Sequence, residues 1–218
     1  YKRQLEGYAG TGKTVLVSRL LAALTGLRIA VAAPTNKAVR VLRDKLLDAG
    51  VPISDAGDPD GDWRSRPGSG CTCRSVHSLL GMKLSETEDG QQHAVQERQA
   101  TLRNYDVVVI DECSMLDAAL FQRVVMERGD AQVLFVGDPA QLPPVSRDGG
   151  LSPVFSRVDF KVRLSEVVRQ AADNPVIALS IRLRQLIEDG VKATALNLAD
   201  ALPDLSTYPK AALVSGTP

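Results

Sequence analysis

The sequence predicts an α/β protein in which a parallel sheet is flanked by helices, with a small β-hairpin inserted into it. A glycine-rich turn lies between a short strand and a helix near the start of the chain. Val107–Ile110 is wholly apolar, which is typical of strands that a parallel sheet buries on both faces. Strand-like and helical runs then alternate along the 218 residues. That alternation indicates crossover connections and therefore parallel strands.

The first elements have recognisable start and stop signals. Gln4–Glu6 ends a first strand. Thr14–Leu24 carries leucines one helical turn apart, and Gly26 follows as its predicted stop. Arg28–Ala33 is a short strand of the buried type, and Asn36–Asp48 has the apolar spacing of a helix. The order strand, loop, helix, strand, helix favours a crossover unit.

The middle of the chain has a different composition. Residues 51–70 are rich in Gly, Pro, Asp and Ser, which predicts an exposed loop. Residues 79–104 are polar, and Asp89–Gly90 lies between two strand-like arms. This pattern predicts the hairpin insertion.

The second half continues the alternation. We predict a helix over Asp117–Glu127 and strands over Gln132–Val136 and Phe160–Leu164. Asp173 or Asn174 is a predicted helix cap, with Pro175 in the first turn.

Composition excludes several classes of protein. Lys and Arg number 26, as do Asp and Glu, so any basic groove must be local. No apolar run approaches the roughly 20 residues that span a bilayer, and no leader precedes the first motif. Three cysteines do not make a disulfide framework, so we expect a reducing, cytoplasmic setting and no membrane partner.

The glycine-rich turn is a complete phosphate-binding motif. Its sequence, GYAGTGKT, fits the spacing G-x-x-x-x-G-K-T and opens a helix. Backbone N–H groups of such a loop point at phosphate oxygens, and the helix N-terminus favours the negative charge. Lys13 is expected to reach the β- and γ-phosphates, and Thr14 to offer a hydroxyl to Mg²⁺. The predicted nucleotide-binding residues are Gly7, Ala9, Gly10, Thr11, Gly12, Lys13 and Thr14.

Polar residues follow the two apolar strands of the second half. Asp111 and Glu112 come directly after one strand, at the sheet edge where α/β proteins bind ligands. Asp111 is expected to hold Mg²⁺ through water, and Glu112 to orient and deprotonate the attacking water. Gln141 follows the next strand and is a predicted sensor of the γ-phosphate.

The cysteines give weaker signals. Cys71 and Cys73, with His77 nearby, are only three candidate zinc ligands within seven residues, and no second pair follows. We therefore predict reduced cysteines in a loop. Cys113 is predicted to be a small buried side chain.

One basic stretch has two interpretations. Trp63, Arg64, Arg66 and Arg74 could hold phosphates and stack a base, or they could be a solvated loop. The sequence leaves both open.

Six segments follow one another along the chain: GYAGTGKT (7–14), AAPTNKAVRVL (32–42), TCRSVHSLLGM (72–82), VVVIDECSML (107–116), LFVGDPAQLPPV (134–145) and LSEVVRQAADNPVIALSIRLR (164–184). In order and spacing, these segments together resemble the superfamily 1B DNA helicases of the RecD/Dda-like group, over residues 1 to about 185.

The resemblance implies a RecA-like ATPase and assigns roles to residues. The catalytic set would be Glu112, Lys13, Gln141 and Arg169, with Arg169 stabilising charge at the γ-phosphate. The cofactors would be ATP and Mg²⁺, the ion being held by Thr14 and Asp111.

The resemblance also implies contacts with single-stranded DNA and movement along it from 5′ to 3′. The hairpin would be a strand-separating pin, although residues 82–100 contain no aromatic residue for stacking. The predicted DNA-contacting residues are Pro34, Thr35, Asn36, Thr72, His77, Ser78, Pro143 and Pro144. Of these, Pro143 and Pro144 would couple the ATP state to the DNA track.

For the domain organisation, we expect residues 1–185 to form the first motor domain. Residues 186–218 would be a linker and the start of a truncated second RecA-like domain. The leading hypothesis is a helicase or translocase. The alternatives are a nucleotide-switched subunit of a DNA recombination or repair complex, and a nuclease-coupled subunit whose nuclease lies in a partner.

Overall fold

The computed structural model describes most of the first 165 residues, and these belong to one compact unit. The described ranges are 1–8, 10–24, 26–54, 71–86, 92–145 and 150–165. Their strands are β1 (Lys2–Gly7), β2 (Ile29–Ala33), β3 (Cys71–Ser75), β4 (Met82–Glu86), β5 (Gln92–Gln96), β6 (Val107–Ile110), β7 (Gln132–Gly137) and β8 (Phe160–Leu164). Their helices are α1 (Lys13–Ala23), α2 (Asn36–Asp48), α3 (Val76–Leu79) and α4 (Ala118–Glu127).

Six of these strands form one parallel sheet in the order β3-β2-β6-β7-β1-β8. The predicted α/β class with a parallel sheet is therefore confirmed. The first strand lies between the last two in the chain, so the glycine-rich turn after β1 adjoins the loop after β7. Chain order alone does not reveal this neighbour relation.

The sheet is covered by a hydrophobic core on each face. Strand residues alternate between the two cores: Val108 and Ile110 of β6 pack on one side, and Val107 and Val109 on the other. The first core also contains residues of α3 and α4, and the second contains residues of α1 and α2. Because β6 contributes to both cores, all four of its residues must be apolar.

The predicted hairpin is present as β4 paired antiparallel with β5. The register runs from Met82 opposite Gln96 to Glu86 opposite Gln92. The paired strands are shorter than the predicted span 79–104, because α3 ends at Leu79 and a 3-10 turn occupies residues 102–104. The turn Asp89–Gly90 lies outside the described residues.

Side-chain caps fix where the helices begin. The Thr35 hydroxyl accepts a hydrogen bond from the Ala38 N–H at 3.2 Å, at the start of α2. The Asp117 carboxylate accepts one from the Leu120 N–H at 2.7 Å, so α4 starts one residue later than predicted. Each cap satisfies an N–H that the first helical turn leaves without a partner.

The amino-terminal edge of the sheet is held by polar contacts. Asp106, just before β6, accepts hydrogen bonds from the Arg28 backbone N–H at 2.8 Å and its Nε at 2.9 Å. Its other carboxylate oxygen accepts from Arg28 Nη2 at 2.5 Å. These hydrogen bonds hold the pKa of Asp106 below its ordinary value. The contact joins the starts of β2 and β6.

The strands at the two edges of the sheet differ from the central ones. We did not predict β3, whose sequence CTCRS lacks an apolar run. It lies beside β2, with Cys71 opposite Ile29. At the other edge, β8 is largely exposed, including Phe160 and Val162.

Several sequence predictions fall on residues outside the described ranges. They concern the loop over residues 55–70, the catalytic residue Arg169, the helix beginning near residue 174 and the linker after residue 185. In the part of the chain that the structure describes, no helix has the length and apolar character that crossing a membrane requires.

Candidate nucleotide and nucleic-acid site

The phosphate-binding motif forms a tight loop between β1 and α1. Gly10 and Gly12 have φ angles of 84° and 83°, in the left-handed region that glycine adopts without strain. The Tyr8 carbonyl accepts hydrogen bonds from the Thr11 N–H at 3.3 Å and the Thr11 hydroxyl at 2.8 Å. The Gly12 carbonyl accepts from the Leu16 N–H at 2.9 Å. These contacts give the loop the curled shape that the motif predicts.

Lys13 lies across this loop. Its ammonium donates to the carbonyl oxygens of Gly7 at 2.5 Å and of Tyr8 at 2.9 Å. Both acceptors belong to the turn that would surround a phosphate. The two carbonyl contacts therefore hold the positive charge of Lys13 at the loop.

Asp111 and Glu112 lie at the carboxyl end of β6. The Asp111 N–H donates to the Ala32 carbonyl at 2.8 Å, and its carboxylate accepts from the Glu112 N–H at 3.0 Å. Burial raises the pKa of both carboxyls, and the charge of Asp111 raises that of Glu112 further. The Lys13 ammonium acts on both in the opposite direction. The glycine loop and the acidic pair therefore share one electrostatic environment.

The backbone of Glu112 is unusual. Its φ of 54° is the only positive φ of a non-glycine residue within the described ranges. Such a conformation costs an ordinary residue on the order of 1 kcal/mol and is found preferentially at functional sites. The strained residue is also the predicted general base.

The loop after β7 joins the same site. Asp138 is fully buried, and its carboxylate accepts from the Ala140 N–H at 2.9 Å. Its carbonyl accepts from the Gln141 N–H at 3.1 Å, so a turn presents the half-buried Gln141 just beyond the sheet edge. The charge of Asp138 also raises the pKa of Glu112. The loops after β1 and β7 therefore each place one charged residue, Lys13 and Asp138, near Glu112.

Gly137 allows the segment after Glu112 to pack on β7. A Cβ at this position would lie 2.6 Å from Cys113 Sγ and 3.2 Å from its backbone nitrogen. Cys113 is fully buried, as predicted, and burial together with the two neighbouring carboxylates raises its pKa, so the thiol stays protonated. The close fit supports the backbone that positions Glu112.

The polar groups suit a hard divalent cation bound together with phosphates. Among the residues with described positions, no three His, Cys, Asp or Glu side chains cluster as a metal site. Mg²⁺ does not need such a cluster, because one or two protein oxygens and the phosphates of a nucleotide hold it. A buried carboxyl with a raised pKa, Asp111, and the Thr14 hydroxyl in the first turn of α1 fit that donor set.

Cys71 and Cys73 were predicted to lie in a loop, but the structure places both in β3. Cys71 and Cys73 share one face of β3, and a hydrogen bond from Cys73 lowers the pKa of Cys71. His77 lies beyond the end of that strand in α3, where its imidazole is near the Pro34 backbone. The described side chains of these three residues do not form a metal-binding group.

Some predicted DNA-contacting residues lie together. The His77 imidazole, whose pKa is lowered by burial and raised by the Pro34 backbone, lies near Pro34, so the segments that follow β2 and β3 are neighbours. Asn36 and Ser78, in the first turns of α2 and α3, are exposed beside them. Burial lowers the pKa of His77, so its ring is mostly neutral near pH 7.

Other predicted DNA-contacting residues are placed differently. Thr72 lies near the start of β3, opposite Ala30, and its hydroxyl donates to the Tyr105 hydroxyl at 3.2 Å. That position is toward the amino-terminal edge, at the far end of the strand from His77. After β7, Pro143 is exposed whereas Pro144 is buried. Ala9 and Arg169 lie outside the described residues.

Two charged residues near the acidic pair were not predicted from the sequence. Lys45 of α2 lowers the pKa of both Asp111 and Glu112, but it has only the pattern of a solvent-facing helical residue. Asp138 lies within the segment LFVGDPAQLPPV, but only the structure shows that it is completely buried. Both contribute to the charge that Glu112 experiences.

Comparison with known proteins gives consistent matches. The AAA_30 family model, described as an AAA domain, matches residues 2–201. The ATP-dependent RecD2 DNA helicase of Deinococcus radiodurans is 31% identical over 204 residues, covering 92% of this chain and 24% of that protein. The RecBCD enzyme subunit RecD of Mycobacterium tuberculosis is 34% identical over 176 residues, covering 76% of this chain and 28% of that protein.

The fold is also found among solved structures. A crystal structure of Bacteroides Pif1 bound to single-stranded DNA has a TM-score of 0.56 and 22% sequence identity. It covers 91% of this chain and 45% of that one. The present chain thus spans about a quarter of the length of the two curated relatives named above.

Proposed function

Since the chain belongs to the AAA_30 family of AAA domains, the RecA-like P-loop domain of superfamily 1B helicases, we propose that it is an ATP-hydrolysing motor domain of a DNA helicase or single-strand translocase. The observation that carries this proposal is the shared environment of Lys13, Asp111 and Glu112. Three loops, after β1, β6 and β7, meet at the edge where α/β proteins bind nucleotides.

The reaction is hydrolysis of the γ-phosphate of ATP by water. The loop N–H groups and Lys13 bind the triphosphate, while Thr14 and Asp111 hold Mg²⁺, which supplies charge neutralisation at the phosphates. Glu112 accepts the proton of the attacking water. Its burial raises the pKa toward neutrality, and a base is more effective as its pKa approaches the working pH. Gln141 senses the γ-phosphate, and Arg169 stabilises the developing charge.

The nucleic-acid track runs past α2 and α3. Pro34, Thr35, Asn36, His77 and Ser78 contact the phosphate backbone of single-stranded DNA. The RecD2 relative is a DNA helicase by name, and the Bacteroides Pif1 structure contains single-stranded DNA. Both support this substrate, with 5′ to 3′ movement as the polarity of the family. Thr72, Pro143 and Pro144 remain predicted contacts.

A second candidate is a nucleotide-switched subunit of a recombination complex. The relative from Mycobacterium tuberculosis is a subunit of the RecBCD enzyme. In this case the domain would hydrolyse ATP and move DNA only when its partner subunits are present.

The decisive measurement is ATP hydrolysis by the full-length protein with and without single-stranded DNA. Lys13→Ala should abolish nucleotide binding, because it removes the ammonium from the phosphate loop. Arg19→Ala is the matched control, since it removes a cation from the exposed face of the same helix. Failure of single-stranded DNA to stimulate hydrolysis, in the protein alone and with its partners, would reject the motor proposal.

A further inference from the structure

The edge strand β8 contacts the phosphate-binding loop through one arginine. Arg163 Nη2 donates a hydrogen bond to the Tyr8 hydroxyl, and its guanidinium carbon lies 5.2 Å from the centre of the Tyr8 ring. The two residues are 155 positions apart in sequence. A guanidinium this close to an aromatic ring is attracted to it as well as hydrogen-bonded.

Glu6, near the end of β1, lies beside the same arginine. Its carboxylate oxygens lie 3.9 Å from Arg163 Nε and 3.5 Å from Lys161 Nζ. Glu6 is only 8% exposed, and a carboxylate this buried is expected to have cationic partners. Lys161 supplies one such charge by itself. Arg163 differs from Lys161 in that it also reaches Tyr8.

Tyr8 connects this arginine to the interior of the loop. Its side chain is held by Arg163, while its carbonyl accepts from the Thr11 N–H, the Thr11 hydroxyl and Lys13 Nζ. Next to it, a Cβ on Gly7 would lie 3.0 Å from the Leu164 Cβ, so loop and strand are in close contact. A change in the backbone angles of Tyr8 would move the carbonyl that positions Lys13.

We propose that Arg163 is a positioning residue that, through Tyr8, holds the first turn of the phosphate-binding loop in the shape that receives the triphosphate. The inference rests on the proposed function, because it concerns the same nucleotide. Arg163 acts on binding rather than on the hydrolytic step, since the residue it holds, Tyr8, belongs to the loop that receives the phosphates. Its loss should therefore raise the KM for ATP more than it lowers kcat.

The test is a double-mutant cycle in the full-length protein. The variants are Tyr8→Phe, which removes only the hydroxyl, Arg163→Ala, and the two combined. The readouts are kcat and KM for DNA-stimulated ATP hydrolysis, the Kd of ADP, and the thermal unfolding midpoint. Lys161→Ala is the matched control, because it removes a cation from the same face of the same strand and from the same carboxylate, without touching Tyr8.

We expect Arg163→Ala to raise the KM for ATP and the Kd of ADP by about 3- to 10-fold, with Tyr8→Phe at the lower end of that range. The double variant should be no weaker than Arg163→Ala, because both changes break one contact. Arg163→Lys should recover part of the loss. Lys161→Ala should bind ADP like the parent.

Other outcomes would overturn the proposal. Additive effects of the two changes would mean that the residues act separately. An equal loss in Lys161→Ala, or a lower unfolding midpoint with unchanged Kd, would reduce Arg163 to a structural role on β8. If the parent binds ADP without DNA-stimulated hydrolysis, the motor proposal fails while the cycle on ADP binding still decides this one. If the parent binds no nucleotide, both are rejected.

Discussion

The two ends of β6 carry aspartates in opposite circumstances. Asp106, before the strand, accepts three hydrogen bonds from Arg28, and its pKa is lowered. Asp111, after the strand, is more deeply buried, accepts one backbone N–H, and has a raised pKa. Only four residues separate them. The folded structure nevertheless stabilises the charged form of Asp106 and, through burial, destabilises the charged form of Asp111.

The two edges of the sheet differ in what their polar groups do. At the amino-terminal edge the polar groups satisfy one another, as Thr72 and Tyr105 also do. At the carboxyl-terminal edge the fold concentrates groups that need a ligand, together with the strained backbone of Glu112. Stability and ligand binding can therefore be altered separately by changes at opposite ends of one strand.

Glu112→Gln should give the largest effect at the carboxyl-terminal edge. Loss of the general base should lower kcat for ATP hydrolysis by roughly 10²- to 10⁴-fold, whereas nucleotide stays bound. Single-turnover hydrolysis and retention of radiolabelled ATP would measure both. Glu127→Gln, an equivalent change in the surface ion pair with Arg103, should stay within about twofold of the parent. Normal turnover by Glu112→Gln would remove Glu112 from the mechanism.

Substituting the two aspartates should give opposite results. Asp111→Asn should lower kcat by at least about 10²-fold through lost charge at the phosphates, without lowering the free energy of unfolding. A carboxyl whose folded pKa is raised destabilises the fold above its unfolded pKa, so removing its charge costs no stability at pH 7. Asp106→Asn should cost about 1–2 kcal/mol of stability and retain hydrolysis. A comparable loss of stability in both variants would contradict the division.

Gly137→Ala should destabilise the protein by about 1–3 kcal/mol, because the added Cβ would overlap Cys113 Sγ. Hydrolysis should fall as well, since Cys113 follows Glu112. Combining it with Cys113→Ala should recover part of the stability. Gly150→Ala is the control, because its Cβ would meet no atom of the described residues within 4 Å. Urea denaturation of the parent and the three variants measures these changes, and equal stability of Gly137→Ala and Gly150→Ala would refute the packing argument.

The smallest effect is the pH dependence of the Arg28–Asp106 contact. The folded pKa of Asp106 lies below its ordinary value of 3.8. Its stabilisation is therefore fully present above about pH 4 and is lost as the pH falls through the lower folded pKa. The difference in unfolding free energy between the parent and Asp106→Asn should shrink as the pH falls below about 4, the ordinary pKa of aspartate, toward the lower folded pKa. A difference that stays constant over this range would show that charge is not its cause.

The sequence predicts local structure well where one periodicity dominates. Val107–Ile110 and Asn36–Asp48 were found because four apolar residues, or an apolar residue at each turn, are sufficient signals. The motif GYAGTGKT likewise predicts its own loop shape, since its glycines occupy the left-handed positions. The acidic pair after β6 was placed correctly at the sheet edge for the same reason.

What the sequence did not predict depends on contacts between distant residues. Arg28 and Asp106 are 78 positions apart, and Arg163 and Tyr8 are 155 apart, so no window contains either pair. The strand β3 was missed because pairing with β2, rather than its own side chains, makes CTCRS a strand. Lys45 gave no signal, because a surface lysine on a helix looks the same whether or not a carboxylate lies near it.

The length of β6 carries a further consequence. The rise of five strand residues places Asp106 and Asp111 roughly 16 Å apart. The contact with Arg28 at one end and the acidic pair at the other both depend on that spacing. Deleting or inserting one residue between them would also turn the strand side chains on one side of the change toward the wrong core. Substitutions within this segment can be tolerated if they stay apolar. Deletion of a single residue should destabilise the fold far more than any of them.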